Sequence, residues 1–280
     1  MRLIKEIFYK AKGIYETIVI VVGLACIMVG IFFTTHKDNA FSARRTCKIF
    51  FWLSRIKLQK IGEFDESATL IIMNHQSVAD ILCLEAYHPK NICWVAKKEL
   101  GEIPLYGYAL RAPQMILLDR EDKRGLAWLL KIAKEKIDEK RPIVIFPEGT
   151  RGRGREKFLP FKAGAKMLAE RFHLKIQPIV LINTRKVYNT SPLEARSNVA
   201  RMVLLESFYA NEMPSKNIFF GDETTKNTST KNDSKNSSQN GLNEAQNDLN
   251  EAKDNAQDWY KALEQTMQEV YLEHYKELNP

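Results

Sequence analysis

The sequence predicts an α/β fold: a largely parallel sheet flanked by helices, within a chain of 280 residues. Short apolar segments typical of buried strands recur near residues 69–73, 92–96, 115–118, 143–146 and 176–182. Segments with helical spacing lie between them, near residues 79–88, 102–110, 124–139 and 163–172. Such alternation builds parallel sheets, because each helix carries the chain back across a face of the sheet. Residues 199–209 are predicted to form one further strand.

An uncharged, mostly apolar run from Thr17 to Thr35 precedes this domain. Its length is close to the roughly 20 residues that a helix needs to cross the hydrocarbon core of a bilayer. A signal peptide is the alternative, but the run is long for one, and Thr34-Thr35-His36-Lys37 does not resemble a cleavage site. The run therefore favours a membrane anchor.

Residues 41–60 form a second predicted helical stretch, in which bulky apolar side chains such as Phe51 and Trp52 alternate with basic ones such as Arg44 and Lys48. A helix of this kind suits the interface of an anionic membrane. A soluble amphipathic helix that packs on the domain has the same pattern. Basic residues flank the Thr17–Thr35 run on both sides. The positive-inside rule therefore favours a cytoplasmic location for the later side only modestly.

The C-terminal quarter differs in composition from the rest. Residues 221–257 contain no Val, Ile, Met or aromatic residue, so they cannot bury enough apolar surface to stay folded. Apolar residues then recur at helical spacing from Trp259 onward. We therefore expect four parts: N-terminal membrane-anchoring helices (1–60), an α/β domain (61–220), a disordered polar insert (221–257) and a C-terminal amphipathic helix (258–280).

The charge distribution indicates the class of partner that the protein binds, and the cysteines indicate the redox compartment in which it lies. Residues 1–220 carry 36 Lys and Arg against 22 Asp and Glu, whereas residues 221–280 carry 6 against 12. A basic body predicts an anionic partner, and with no nucleic-acid-binding motif in the sequence we expect anionic membrane lipid rather than nucleic acid. The four cysteines form no CxxC pair, which favours reduced thiols in a cytosol-facing protein.

His75 and Asp80 are the candidate catalytic pair. They follow the apolar segment Leu70–Met73, where a strand ends and a helix begins. A histidine with a nearby carboxylate can act as a general base, since an imidazole accepts a proton near neutral pH and the carboxylate stabilises the charged ring. Ser77 lies between them but lacks the G-x-S-x-G context of a nucleophile, so a capping or packing role is predicted for it.

A second polar block, Phe146-Pro147-Glu148-Gly149-Thr150-Arg151, follows the next central strand. Arginine presents a planar fork that matches phosphate oxygens, so Arg151 is the first candidate phosphate ligand, with Arg120 and Lys97 as further candidates. A surface ion pair between Glu148 and Arg151 is the plainer alternative. His75, Asp80 and Glu148 are residue types that can bind a metal ion. Because the chain has only five histidines and no HExxH spacing, we expect neither a metal nor a cofactor.

Together the blocks Asn74–Asp80 and Phe146–Arg151 resemble the N-H-x4-D and F-P-E-G-T-R boxes of the glycerophosphate acyltransferase superfamily. Leu117–Arg120 is similar to that family's second block, although the glycine and phenylalanine often found before it are missing. Residues 176–180 resemble its proline-containing fourth block. Among the branches of the family, the pattern is most similar to bacterial 1-acyl-sn-glycerol-3-phosphate acyltransferase.

The resemblance implies that the histidine activates the acceptor hydroxyl directly, and that Glu148, Gly149, Thr150 and Arg151 serve acceptor binding and site architecture. It implies transfer of a fatty acyl group from acyl-carrier protein or acyl-coenzyme A to the sn-2 hydroxyl of lysophosphatidic acid, at the cytoplasmic face of the inner membrane. Glycerol 3-phosphate or another lysophospholipid is an alternative acceptor. A membrane-bound lipid hydrolase or a phosphatase is the alternative from a different class.

Overall fold

The computed structural model describes residues 2–38, 40–104, 106–119, 122, 124–152, 156–210, 212 and 241–280, with the backbone alone for 35–38 and 241–258. The helices within these residues are α1 (Arg2–Asp38), α2 (Phe41–Arg44), α3 (Lys48–Leu53), α4 (Ala79–Tyr87), α5 (Lys98–Glu102), α6 (Tyr108–Arg111), α7 (Gly125–Asp138), α8 (Gly164–Phe172), α9 (Thr184–Val187) and α10 (Gly241–Leu278). A 3-10 turn, Arg45–Cys47, joins α2 to α3. The strands are β1 (Lys57–Ile61), β2 (Leu70–Met73), β3 (Cys93–Lys97), β4 (Ile116–Leu118), β5 (Ile143–Ile145), β6 (Lys175–Ile182), β7 (Asn189–Thr190), β8 (Leu193–Glu194), β9 (Val199–Leu204) and β10 (Phe208–Tyr209).

The described strands form an eight-stranded sheet in the order β1-β9-β6-β2-β5-β3-β4, with β10 also beside β6 and with β7 and β8 in a separate hairpin. From β6 to β4 all neighbours are parallel, whereas β9 and β10 run antiparallel to β6. The predicted fold class is confirmed. The carboxyl ends of the five parallel strands meet at one edge of the sheet, where α/β proteins bind their ligands.

The central strands lie where the apolar segments of the sequence predict them, to within one residue at each end. β2 and β5 are buried along their whole length, as expected for parallel strands that are covered on both faces and read as continuous runs of Ile, Leu and Val. The predicted strand 199–209 is two strands, β9 and β10, and the predicted helix 102–110 is the two short helices α5 and α6.

Two predicted boundaries differ from the structure. Residues 57–60 belong to the edge strand β1 rather than to the helical stretch 41–60, and β1 pairs with β9. Helix α10 begins at Gly241 rather than at residue 258, so the predicted disordered insert is helical from 241 to 257; its earlier part, 221–240, lies outside the described residues. Nine of the 17 residues from 241 to 257 are Ala, Glu, Gln or Leu, which have high helix propensity, alongside four Asn, which do not.

Helix α1 rests on the domain along its first half. The N–H of Ala195 donates to the carbonyl of Tyr9 at 3.0 Å, and Arg196 pairs with Glu6 at 3.1 Å. A Cβ on Gly13 would lie 2.6 Å from the Cα of Glu194, so only glycine permits this approach to the β7–β8 hairpin. The helix is therefore docked against the body that carries the site.

The second half of α1 pairs with the helices that follow it. A Cβ on Gly30 would lie 3.0 Å from the Cβ of Ala43, and Ile31 is fully buried beside Ala43. The hydroxyl of Tyr15 donates to the carbonyl of Leu53 at 3.0 Å, which ties the end of α3 to the middle of α1. We call this unit, residues 2–53, the helical pair.

Candidate active site

The turn after β2 places His75 at the carboxyl edge of the sheet. Asn74, fully buried, extends the pairing of β2 with β6 beyond the strand itself: its Nδ2 donates to the carbonyl of Leu181 at 2.9 Å, and its Oδ1 accepts the N–H of Leu181 at 2.7 Å. Because the side chain supplies both a donor and an acceptor, it holds the chain at one register just before the histidine.

His75 and Asp80 are in direct contact. The Nδ1 of His75 lies 2.8 Å from the Oδ2 of Asp80, and the same oxygen accepts the N–H groups of Gln76 at 2.7 Å and Ser77 at 2.8 Å. An oxygen that accepts two N–H groups acts as an acceptor for the ring as well, so Nδ1 carries the ring proton. Asp80 is fully buried and the imidazole remains 15 % exposed. This arrangement leaves the lone pair on Nε2, as a general base requires.

Glu148 links the two blocks of the site through their backbones. Its carboxylate is 2 % exposed and accepts the N–H of His75 at 2.8 Å on Oε1 and the N–H of Leu159 at 3.0 Å on Oε2. The N–H of Gly152 donates to the carbonyl of His75 at 2.7 Å. Burial raises the pKa of the Glu148 carboxyl, and the two backbone N–H groups partly offset this effect. These contacts indicate a positioning role, and substrate contact by Glu148 stays a prediction.

The turn between Glu148 and Arg151 depends on glycine. Gly149 adopts φ +70°, which side chains rarely tolerate, and a Cβ there would lie 3.0 Å from the Nζ of Lys162. Thr150 follows as an exposed residue. The turn thus carries the chain from a buried carboxylate to an exposed arginine within three residues.

An aromatic stack supports the imidazole, and the sequence analysis missed it. The ring of His75 lies on Phe146 with centroids 3.8 Å apart and planes 14° apart, and Phe146 lies against Trp94 at 5.3 Å. Phe146 was noted as part of the second block, but no role was predicted for it. Trp94 belongs to β3, and a sequence pattern does not show which strand lies next to which.

Trp94 also borders an apolar cavity of about 510 Å³ between the helical pair and the domain. Val78, Ile81 and Leu82, at the start of α4, line the same cavity. The apolar space therefore begins within a few residues of His75. Its other walls come from α1, the segment 44–53, and the region from Tyr106 to Met115.

Ser77 is engaged in structure. Its hydroxyl donates to the carbonyl of Tyr188 at 2.5 Å and accepts the N–H of Ala79 at 3.1 Å. The residue is 2 % exposed. These contacts favour the capping and packing role over a nucleophilic one.

Two of the candidate phosphate ligands, Arg151 and Lys97, are exposed, whereas Asp80 is buried. Arg151 is exposed and donates from Nη1 to the hydroxyl of Thr190 at 3.2 Å. Burial raises the pKa of the Tyr106 hydroxyl, and the positive charge of Arg151 partly offsets this effect. Tyr106 also lines the cavity. Lys97, at the carboxyl end of β3, pairs with Glu99 at 2.7 Å. Arg120 lies outside the described residues.

Within the described residues, no three His, Cys, Asp or Glu side chains are grouped closely enough to hold a metal ion. The chemistry available at this edge is proton transfer by His75 beside an apolar cavity.

Comparisons with known proteins show the family to which the chain belongs. The family model described as Acyltransferase matches residues 55–182. The chain is similar to a 1-acyl-sn-glycerol-3-phosphate acyltransferase of Helicobacter pylori, with 49 % identity over 96 % of this chain and 95 % of the relative. It is similar to the protein of that name from Saccharomyces cerevisiae, with 29 % identity over 59 % and 55 % of the two chains. Among solved structures it resembles the 1-acyl-sn-glycerophosphate (LPA) acyltransferase PlsC from Thermotoga maritima, with a TM-score of 0.64 over 98 % of this chain and 97 % of that one; at 17 % identity this shows the shared fold.

Proposed function

The chain belongs to the family of bacterial 1-acyl-sn-glycerol-3-phosphate acyltransferases, and from this premise we propose that it acylates the sn-2 hydroxyl of lysophosphatidic acid to give phosphatidic acid. The donor is a fatty acyl thioester of acyl-carrier protein or of coenzyme A. The chain is an O-acyltransferase of lipid biosynthesis, and the proposal concerns its acceptor, donor and catalytic residues.

The observation that carries the proposal is the 2.8 Å contact between His75 and Asp80 beside an apolar cavity. Alcohols hold their protons tightly, so the acceptor hydroxyl must lose its proton as it attacks the thioester carbonyl. The Nε2 of His75 takes that proton, and Asp80 stabilises the imidazolium that forms. When the tetrahedral intermediate collapses, the carbon–sulfur bond breaks and the imidazolium returns the proton to the leaving thiolate. No bond to the enzyme forms, and no cofactor is consumed.

The acceptor phosphate would bind on the exposed side of the site. Arg151 is the leading ligand, because it follows directly from the turn held against His75 and lies near Tyr106 at the cavity. Its planar guanidinium can bind two phosphate oxygens at once. Lys97, which ends the parallel strand β3 at the same edge, is a further candidate. Arg120 remains a candidate from the sequence.

The cavity would receive an acyl chain. Its walls are mostly aliphatic and aromatic, supplied by α1, α3 and α4. Burial of a chain of CH₂ groups stabilises the complex by about 0.8 kcal/mol per group. An acceptor that already carries an acyl chain would gain from this space in a way that glycerol 3-phosphate would not, and this favours lysophosphatidic acid.

The helical pair would attach the protein to the inner membrane, with the catalytic domain on the cytoplasmic face. In length and composition α1 could cross a bilayer core, yet its first half is docked on the domain. Large apolar side chains are exposed on both helices, including Phe8, Phe32 and Phe33 on α1 and Trp52 on α3. Docking along one side with an apolar opposite side suits a unit that inserts into anionic membrane lipid.

Flotation with anionic vesicles tests this attachment. We expect Trp52→Glu, at a position 77 % exposed, to lower the bound fraction, because it places a charge where an apolar ring would enter the bilayer. Trp128→Glu on α7, at an exposed position outside the helical pair, is the matched control and should bind as the parent does. Equal loss in both variants, or no loss in either, would contradict the assigned surface.

A product assay tests the reaction. The purified protein in vesicles is given a fatty acyl thioester of acyl-carrier protein or of coenzyme A, each with lysophosphatidic acid, with glycerol 3-phosphate, or with no acceptor. We expect thioester consumption that depends on lysophosphatidic acid and yields phosphatidic acid. Consumption without any acceptor would identify a hydrolase instead, and a preference for glycerol 3-phosphate would overturn the proposed acceptor.

A further inference from the structure

Helix α10 packs over the chain segment that follows the second block. Its residues Leu263, Met267, Val270 and Tyr271 are almost completely buried, and the helix lies against β6. The adjacent side of the helix faces the backbone of residues 156–161. We call these six residues the held segment.

Gln268 forms two hydrogen bonds with the backbone of the held segment. Its Oε1 accepts the N–H of Phe158 at 2.6 Å, and its Nε2 donates to the carbonyl of Glu156 at 2.6 Å. About one helical turn earlier, the Oε2 of Glu264 accepts the N–H of Phe161 at 3.3 Å. An amide side chain that satisfies a backbone donor and a backbone acceptor together determines the register of that backbone.

The held segment in turn holds Glu148. Leu159, the next residue after Phe158, donates its N–H to the Oε2 of Glu148 at 3.0 Å, while the Oε1 of Glu148 accepts the N–H of His75 at 2.8 Å. Gln268 is thus connected to the candidate base through Leu159 and Glu148, by contacts that each involve backbone.

A second contact runs in parallel through Tyr271. Its ring centroid lies 5.2 Å from that of Phe158, and its hydroxyl lies 3.5 Å from the Oε1 of Gln76, the residue after His75. Tyr271 is 1 % exposed. Helix α10 therefore touches both sides of the site, the turn after β2 and the held segment.

We propose that Gln268 is a positioning residue of the acyltransferase: by clamping the held segment it sets the place of Glu148 and, through Glu148, the backbone of His75. This inference rests on the proposed catalytic role of His75. It makes the C-terminal helix a part of the active site, although the helix is far from both blocks in the sequence.

Kinetics of two variants and a matched control test the proposal. We expect Gln268→Ala to lower kcat about tenfold to hundredfold, the range that a displacement of about 1 Å can cost, with a smaller change in the donor KM. Gln268→Glu keeps an acceptor for the N–H of Phe158 but loses the donor to Glu156, so it should recover part of the loss. Gln265→Ala, at an exposed position on the same helix, should match the parent.

Amide hydrogen exchange supplies a readout that does not depend on activity. In Gln268→Ala the held segment should exchange faster while residues 259–275 keep their protection. An unchanged kcat would overturn the proposal, as would a loss of kcat accompanied by equal opening of α10. If Gln268→Ala fails to fold, the same comparison is made with Gln268→Glu. If the parent protein shows no acyl transfer, the proposed function fails, and the exchange data still decide whether Gln268 holds the segment.

Discussion

The two ends of helix α4 each carry a histidine beside an aromatic ring, and the two sites differ in access and charge. His75 precedes the helix, contacts Asp80 and stays 15 % exposed. His88 follows the helix, is 2 % exposed and bonds to the backbone of Lys90 at 3.1 Å, with the ring of Phe64 at 5.0 Å. Burial lowers the pKa of His88 to about 4. A buried carboxylate partner and an open ring edge distinguish the candidate base from the structural histidine.

Removing each imidazole gives the largest contrast. We expect His75→Ala to abolish acyl transfer, because it removes the general base. Asp80→Asn should impair transfer severely, because it removes the charge that stabilises the imidazolium. His88→Asn should retain most activity, and so should Ser77→Ala. Initial rates with lysophosphatidic acid measure this, with circular dichroism as the control for folding. Appreciable turnover by His75→Ala would remove the distinction between the two ends.

Glu148 tests whether the backbone of His75 must be held. In Glu148→Gln one oxygen still accepts an N–H, but the amide NH₂ faces the second N–H and leaves it unsatisfied. A hydrogen bond to a charged group contributes about 1.5–3 kcal/mol, so we expect kcat to fall roughly ten- to hundredfold. Glu135→Gln, at an exposed position on α7, is the control. Equal rates for the two variants would show that the carboxylate of Glu148 is dispensable.

Arg151 extends the comparison to the exposed side of the site. We expect Arg151→Ala to raise the acceptor KM about ten- to hundredfold, corresponding to the loss of one charge-assisted hydrogen bond. Arg151→Lys should restore it only in part, because lysine lacks the two-pronged geometry. Arg171→Ala, an exposed arginine at the end of α8, is the control. With donor and acceptor varied separately, a change confined to the donor KM would exclude Arg151 as the phosphate ligand and make Arg120 the leading candidate.

The lowered pKa of His88 predicts that the free energy of unfolding depends on pH. We expect no effect of this residue on catalysis. Between about pH 6.5 and pH 4 the unfolded chain protonates this imidazole and the folded protein does not. The free energy of unfolding therefore falls as the pH drops through this window, by about 3 kcal/mol in total. In His88→Asn this acid-side decrease should be smaller. Urea unfolding at several pH values measures it, with exposed His173→Asn as the control; parallel pH profiles for parent and His88→Asn would contradict the assignment.

The sequence predicted the central strands and the proximity of His75 to Asp80 because both depend on local patterns. A continuous apolar run identifies a buried strand, and a histidine five residues before an aspartate at its end places the two within reach. The edge strand β1 was missed because its five residues, Lys57–Ile61, are exposed or only half-buried and have the pattern of the basic side of a helix. Its strand character comes from pairing with β9, more than a hundred residues away.

The supports of the site were not predictable, since they join distant segments. Trp94 reaches His75 through Phe146 only because β3 lies next to β5. Glu148 was predicted to serve acceptor binding and site architecture. Its contacts with two backbone N–H groups agree with the second role, but no local pattern shows that this glutamate is buried. Gln268 lies on the predicted C-terminal amphipathic helix, but its contacts with the backbone of Glu156 and Phe158 depend on tertiary packing that no local pattern shows.

The central claim is that His75 activates the acceptor directly, and the mass of the intact enzyme within one turnover tests it. The protein is mixed with labelled acyl donor alone, quenched, and compared with a sample that also receives lysophosphatidic acid. We expect no acyl group on the enzyme in either sample, intact donor without acceptor, and labelled phosphatidic acid with it. An acyl adduct on Ser77, or on any other residue, that forms and decays at the turnover rate would contradict the account.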